Sequence, residues 1–436
     1  MPLIHITSCR TLRRPNRPFE GYVDSPATGD TSDFYSFPLV GWVLGHEAPV
    51  EQVRLSCKGV QLAMVRVDQA RPDLVKSFPG FPWVKNCAFT TRVPGLALPT
   101  EFELCIEACV NGTTNWEALA IVRGWREPVK TTFAPTIQPL VVITIGRTGS
   151  TWLTTLLNDL PGVTACRPFH YETRVVNYWI AVLRMLAQPA SHQQMIAPES
   201  TPNIWWTGRD RLSPLPPSLP DEPIEALLSR DNVNATADFA MGRIEAFFRR
   251  TADMRGRTDI KYFAEKYSPH PLLSPMIREL YPKSKQIFLV RDFRDVACSV
   301  MDYHKRDVAH DPFGIDRAGG SAGFMKEHIS RVEGLLTAWR GSKGQAHLVR
   351  YEDIISDPVT TMVGVCRYLG TDATREQVAR SVETARANEP DRQRNHRTAG
   401  SALASVQRWK RDLPDNLREA CEKGLAEAMR EFGYVG

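Results

Sequence analysis

Gly146-Arg-Thr-Gly-Ser-Thr151 gathers two glycines, an arginine and three hydroxyls into six residues. A loop of that composition at a helix start surrounds one point with backbone N–H groups, hydroxyls and the positive end of the helix dipole. A phosphate suits such a loop; the competing reading is an ordinary strand-to-helix turn with a capping serine. A related group stands far along the chain, where Arg291 precedes Ser299 by eight positions in Arg291-Asp-Phe-Arg-Asp-Val-Ala-Cys-Ser299. Between the two lie groups suited to proton transfer and charge stabilisation. They are His170 and Glu172 in His170-Tyr-Glu-Thr-Arg174, and Glu265 and Lys266 in Ala264-Glu-Lys-Tyr-Ser-Pro-His270. Charged residues at a helix start are also common as plain partners of the dipole.

The elements that must position these groups are legible in the pattern. Leu140 to Ile145 is apolar or β-branched without alternation, which predicts a strand covered on both faces in a parallel sheet. From Trp152 the apolar positions Leu153, Leu156, Leu157 and Leu160 recur at helical spacing, so the order is strand, tight loop, helix. Gln286-Ile-Phe-Leu-Val290 repeats the buried-strand signature, and Arg291 to Asp295 opens the helix after it. Asp259-Ile-Lys-Tyr-Phe263 and Ala346-His-Leu-Val-Arg350 are further strand candidates, with helices expected over 237–249 and 271–280 and from about 172 through Leu183. Asp357-Pro358 supplies an N-cap followed by proline in the first turn. Strands alternating with helices predict a parallel α/β sheet, in which ligands sit at the carboxyl ends of strands near a topological switch. Two anion sites in one crevice imply a nucleotide with phosphates at two positions.

The first part of the chain has a different period. Leu39–Leu44, Val53–Cys57, Leu62–Val67, Phe102–Val110 and Trp116–Val122 are short alternating runs separated by turn residues, and Asn111-Gly112 is a hairpin signal. Residues 1–130 therefore read as an antiparallel β-sandwich, a binding module poor in catalytic groups. Three prolines in Glu127–Pro139 mark the boundary to an α/β domain over 131–436. Within it, 188–234 is rich in Pro, Ser and Asp and carries Trp205 and Trp206; it reads as a lid or loop on the acceptor side.

Composition bounds the function. At 436 residues, 42% hydrophobic and 24% charged, the chain suits a two-domain globular protein. A net charge of +5 favours anionic small molecules and is too weak and scattered for nucleic acid. Nine cysteines without paired or metal-type spacing read as reduced thiols in a cytoplasmic protein. Met1 to Glu20 lacks a signal-peptide core, and no run of eighteen apolar residues spans a membrane. Composition leaves the oligomeric state open.

In this order the motifs resemble those of sulfotransferases that use 3′-phosphoadenosine 5′-phosphosulfate, a family with a P-loop-like α/β fold. Arg147-Thr-Gly-Ser-Thr-Trp-Leu153 resembles the family's loop for the 5′-phosphosulfate, and Phe288 to Ser299 its segment for the 3′-phosphate. Further likenesses are Ala264–His270, Leu348–Ile354 with Tyr368-Leu-Gly370, and His396-Arg-Thr398 followed by Ser405–Leu413. The resemblance implies a donor site of Arg147, Thr148, Gly149, Ser150, Thr151, Trp152, Arg291, Ser299, His396, Arg397 and Thr398, with 3′-phosphoadenosine 5′-phosphate as product and no metal. Arg147 would stabilise the leaving oxygen, a position often held by lysine in cytosolic members and by arginine in members acting on sugars and tyrosine. Lys266 would be the second cation. Glu172 is the first choice for the general base, because Glu172-Thr-Arg174 resembles a segment of tyrosylprotein sulfotransferases. His170 is second; Glu265 is third and reads more simply as an ion-paired supporting carboxylate. The acceptor would be a hydroxyl of a saccharide, a small alcohol or phenol, or a tyrosine. Phe293 departs from the proline usual in the 3′-phosphate segment, and the β-module lies outside the resemblance. The rival readings are a P-loop kinase or NTPase, which needs Gly-Lys-Ser/Thr where Gly149 precedes Ser150, and a non-catalytic scaffold with the same fold.

Overall fold

The computed structural model describes residues 2–166, 173–186, 230–306, 311, 313–387 and 398–434. The chain divides into two compact units. One is Met1–Ala134 with Asn177–Gly242 and Leu272–Leu280; the other is Pro135–Val176 with Arg243–Pro271 and Tyr281–Gly436.

Among its described residues the first unit holds nine strands: β1 Ile4–Thr11, β2 Phe19–Ser25, β3 Thr31–Ser32, β4 Ser36–Gly45, β5 Gln52–Cys57, β6 Val60–Arg66, β7 Ala88–Pro94, β8 Glu101–Ala108 and β9 Glu117–Arg126. They form two antiparallel sheets, β3-β1-β9-β8-β5-β6 and β2-β4-β7. Alternation decides which side chains meet: Phe102, Leu104 and Ile106 of β8 are buried, and Phe102 stacks on Phe37 of β4, with ring centroids 5.9 Å apart. This is the expected sandwich, with β1 added ahead of Glu20. The Asn111-Gly112 expectation needs correction. β8 and β9 do pair, but the register opens at Ala108↔Glu117, so the connection is longer than a two-residue turn. Gly112 has φ +84, whereas Asn111 is not among the positive-φ residues. Its N–H donates to Pro49 O, so the connection is pinned to the β4–β5 loop instead of closing on its own hairpin.

The second unit is built on five parallel strands, β10 Gln138–Ile143, β11 Val163–Ala165, β12 Tyr262–Tyr267, β13 Lys285–Val290 and β14 Ala346–Arg350, in the order β11-β12-β10-β13-β14. From β10 the chain first goes to one side of the sheet and then to the other, so β10 is the switch point. Its helices are α1 Ser150–Asp159, α2 Val175–Leu186, α3 Asn232–Asp253, α4 Leu273–Leu280, α5 Phe293–Arg306, α6 Ser321–Arg340, α7 Tyr351–Ser356, α8 Pro358–Leu369 and α9 Arg375–Ala387; most of α2, half of α3 and all of α4 are counted in the first unit. Leu140 and Val142 of β10 share a core with Leu153, Leu156 and Leu157 of α1 and Met362 and Val365 of α8. Asp357 caps α8 as expected, accepting from Thr360 N at 3.0 Å.

One strand moves. β12 begins at Tyr262 rather than Asp259, so Glu265 and Lys266 lie within the strand and not beyond it. Among the described residues no helix is long and apolar enough to cross a membrane. Cys9, Cys57, Cys87, Cys105, Cys109, Cys298, Cys366 and Cys421 form no disulfide. The lid expected at 188–234 lies outside the described residues up to 229, Trp205 and Trp206 included.

Candidate functional site

The loop after β10 has two departures from right-handed backbone, at Arg147 (φ +68) and Gly149 (φ +87), on either side of Thr148. Gly149 has no substitute there: a Cβ would come 2.3 Å from the Tyr351 ring. A non-glycine residue held left-handed costs about 1–3 kcal/mol. Fully burying one leucine returns about 1.5–3 kcal/mol, and α1 buries Leu153, Leu156 and Leu157. Packing of the following helix thus outweighs the strain of the turn that precedes it.

The turn opens on a cavity of about 1030 Å³ at the carboxyl ends of β10, β12 and β13. Arg147, Gly149, Ser150, Thr151 and Trp152 line it, and so do Lys266, Arg291, Ser299 and Thr398. The two sequence-distant anion motifs therefore share one crevice. Arg147 Nε donates to Ser299 Oγ at 3.1 Å, and its guanidinium lies over the Tyr303 ring at 4.7 Å. Ser299 Oγ also meets Thr398 Oγ1 at 3.0 Å. Thr148 differs from its neighbours: its side chain is fully buried and its hydroxyl donates to Ile145 O at 3.1 Å, inside the loop. Glu172, His170, His396 and Arg397 lie outside the described residues.

Arg291 is 4% exposed. Its Nη1 donates to Arg147 O at 3.1 Å, its Nη2 to Ser405 O, and the guanidinium lies over the Tyr351 ring. Nε is buried with no partner among the described residues, and none of their carboxylates forms an ion pair with this arginine. A buried guanidinium with an open donor and no ion pair among the described residues fits an anion. Asp295, one helical turn on, accepts from Gln407 N at 2.7 Å and Trp409 N at 2.9 Å, and so holds the segment that carries Ser405. Burial pushes its carboxyl up to about 6. Phe293, the departure from proline, is fully buried edge-on to Phe432 and Tyr434. Its carbonyl meets Nε2 of His328, a histidine that burial pushes down to about 4.

Glu265 is the residue whose setting differs most from expectation. It is 1% exposed and makes no ion pair with any described cation; four neutral donors satisfy it instead. Arg174, which the sequence reading left without a role, lines the cavity at φ +47. Its signal was present in Glu172-Thr-Arg174, but the left-handed backbone was not visible there.

The fold and this crevice define a parallel α/β class with a glycine- and hydroxyl-rich loop at the switch point. The profile of the sulfotransferase family matches residues 139–376, more than half of the sequence, and the chain belongs to that family. No curated protein matches the sequence significantly. Solved structures give distant likenesses. A mouse sulfotransferase complexed with PAP is 13% identical, with 67% of this chain and 85% of that one covered at a TM-score of 0.37. A sulfotransferase from Mycobacterium avium is 14% identical, with coverages of 69% and 78% and a TM-score of 0.38. A retinol dehydratase in complex with androsterone and inactive cofactor PAP is 16% identical, with coverages of 77% and 91% and a TM-score of 0.32. Family membership rests on the sequence match.

Proposed function

We propose that this chain transfers a sulfuryl group from 3′-phosphoadenosine 5′-phosphosulfate to the hydroxyl of a saccharide, a small alcohol or phenol, or a tyrosine. The observation that carries the reading is Arg291, a buried cation lining the cavity whose Nε has no partner among the described residues, in the same crevice as the Gly146–Thr151 loop. The residues fit a nucleotide with phosphates at two ends. Backbone N–H groups of the loop, with Arg147, Ser150 and Thr151, would hold the 5′ end, with Trp152 beside them. Arg291, Ser299 and Thr398, joined by His396 and Arg397, would hold the 3′ end.

When bound, the donor supplies a sulfuryl group activated by its link to phosphate. Arg147 keeps a permanent charge beside the oxygen that leaves, and its role is electrostatic because a guanidinium gives up no proton at neutral pH. Lys266 adds a second cation. Such fixed charges in a site shielded from water are the main contribution to transfer at sulfur, as at phosphorus. Glu172, with His170 as the alternative, takes the acceptor's proton as the new O–S bond forms. No step needs a metal ion.

Calorimetry with 3′-phosphoadenosine 5′-phosphate and with ATP tests the reading. Micromolar binding of the bisphosphate with ATP at least tenfold weaker is expected; tight ATP binding with none for the bisphosphate sinks it.

A further inference from the structure

Successive residues of a strand point to opposite faces, so β12 sends Lys266 into the cavity and Glu265 away from it. Glu265 Oε1 accepts from Thr173 Oγ1 at 2.9 Å and Val175 N at 2.7 Å. Oε2 accepts from Val176 N at 3.3 Å and Tyr267 OH at 2.6 Å. The two backbone donors are the first N–H groups of α2, which have no partner inside the helix, and α2 has no acidic residue of its own in its first turn. A carboxylate from a neighbouring strand thus serves as its cap and meets the positive end of its dipole. Burial pushes the Glu265 carboxyl up while the four donors oppose that shift.

The residue between the clamped positions is Arg174. Both of its neighbours, Thr173 and Val175, are tied to Glu265 Oε1, and Arg174 itself holds φ +47. A left-handed arginine persists only where the surroundings over-determine it, and here two hydrogen bonds to one buried oxygen do so. We propose that Glu265 is a positioning residue for the transfer: by clamping both neighbours of Arg174 it sets the turn that brings Arg174 into the cavity wall shared with Lys266. This rests on the sulfotransferase reading of the cavity that Arg174 and Lys266 line. It also replaces Glu265's two earlier roles, since a carboxylate fully engaged by four donors is neither a base nor half of an ion pair.

The test uses the full chain with Glu265→Ala, Glu265→Gln and Thr173→Val. Three measurements are made: hydrogen exchange of residues 173–178, affinity for 3′-phosphoadenosine 5′-phosphate, and kcat for sulfate release from the donor with water as acceptor. In Glu265→Ala, exchange rises and kcat falls about tenfold or more, while nucleotide affinity stays within about threefold. Glu265→Gln keeps an acceptor for Val175 N and recovers most of the loss. Thr173→Val, which removes one donor and leaves the carboxylate, gives about a threefold effect and carries the test should Glu265→Ala fail to fold. Parent-like exchange and kcat in Glu265→Ala overturn the proposal, as does a loss of nucleotide affinity in step with kcat. A parent chain that binds no bisphosphate and releases no sulfate overturns the sulfotransferase reading, while the exchange of 173–178 still decides whether Glu265 holds the turn.

Discussion

Four arginines of the antiparallel module and Arg291 of the α/β unit are held differently. In the module four arginines close on carboxylates, while Arg17 donates to the carbonyl oxygens of Leu12 and Ala118 and lies over the Phe19 ring. Arg54 forks onto Glu107 at 2.8–2.9 Å, Arg71 bridges Asp73 and Asp24, Arg123 meets Glu103, and Arg126 is buried against Glu279 in the same unit. At the carboxyl end of β13 the pattern changes within three residues. Arg294 pairs with Asp292, but Arg291 is met by two carbonyl oxygens and an aromatic face. Neutral oxygens orient a guanidinium without cancelling its charge. Arg17 shares these features, so what sets Arg291 apart is its place in the wall of the cavity, beside the Gly146–Thr151 loop.

The sharpest way to break that contrast is to remove the cavity arginines one at a time. Arg147→Ala is expected to lower kcat by about a thousandfold, the scale on which a preorganised charge acts in a transition state, with nucleotide affinity reduced far less. Arg291→Ala is expected to do the reverse, weakening 3′-phosphoadenosine 5′-phosphate binding by about a hundredfold through loss of a buried charged donor. Equal nucleotide affinity in Arg291→Ala and the parent would return Arg291 to the structural class.

Much of this contrast was legible in the sequence, and what was hidden has a physical cause. The apolar runs Leu140–Ile145 and Gln286–Val290 announced strands β10 and β13, and the Gly146–Thr151 loop announced the turn, because a buried strand and a tight phosphate loop each restrict residue type locally. β12 was read three residues early because Ile260 and Tyr262 continue the same apolar pattern, while a glutamate and a lysine argue against a buried strand. Glu265 is tolerated there only by donors from Thr173, Val175 and Val176, far away in sequence. The sequence pattern does not announce α6: it carries Gly323 and Gly334, and its buried stripe of Phe324, His328, Val332 and Leu335 includes a histidine, whose charged form burial disfavours.

A smaller effect tests the neighbourhood of Arg291 by pH. Asp295 has a folded value of about 6, raised above the usual 3.8 by burial. The folded state therefore holds the proton more tightly, and the stability this contributes is present at low pH and lost as pH rises through about 6. Between pH 5 and 7 that loss amounts to about 1.4 kcal/mol. Urea unfolding at several pH values should show it in the parent and not in Asp295→Asn, which cannot ionise; an unchanged slope in the variant would assign the pH dependence elsewhere.

The smallest effect belongs to the module, and it sharpens the contrast from the other side. Arg54 and Glu107 form a partly exposed pair, with Ser56 Oγ also donating to the carboxylate and the guanidinium lying over Trp116. Exposed and half-exposed pairs contribute little, because solvent screens the charges and two long side chains must be ordered. Arg54→Ala should cost about 0.5–1 kcal/mol of stability, and nucleotide affinity and kcat should stay within about twofold of the parent. Glu107 keeps Ser56 as a partner, so no buried charge is stranded. Suppose instead that Arg54→Ala lowers nucleotide affinity as far as Arg291→Ala does. Then pairing with a carboxylate would not distinguish structural from ligand-binding arginines in this chain, and the argument from Arg291 would lose its basis.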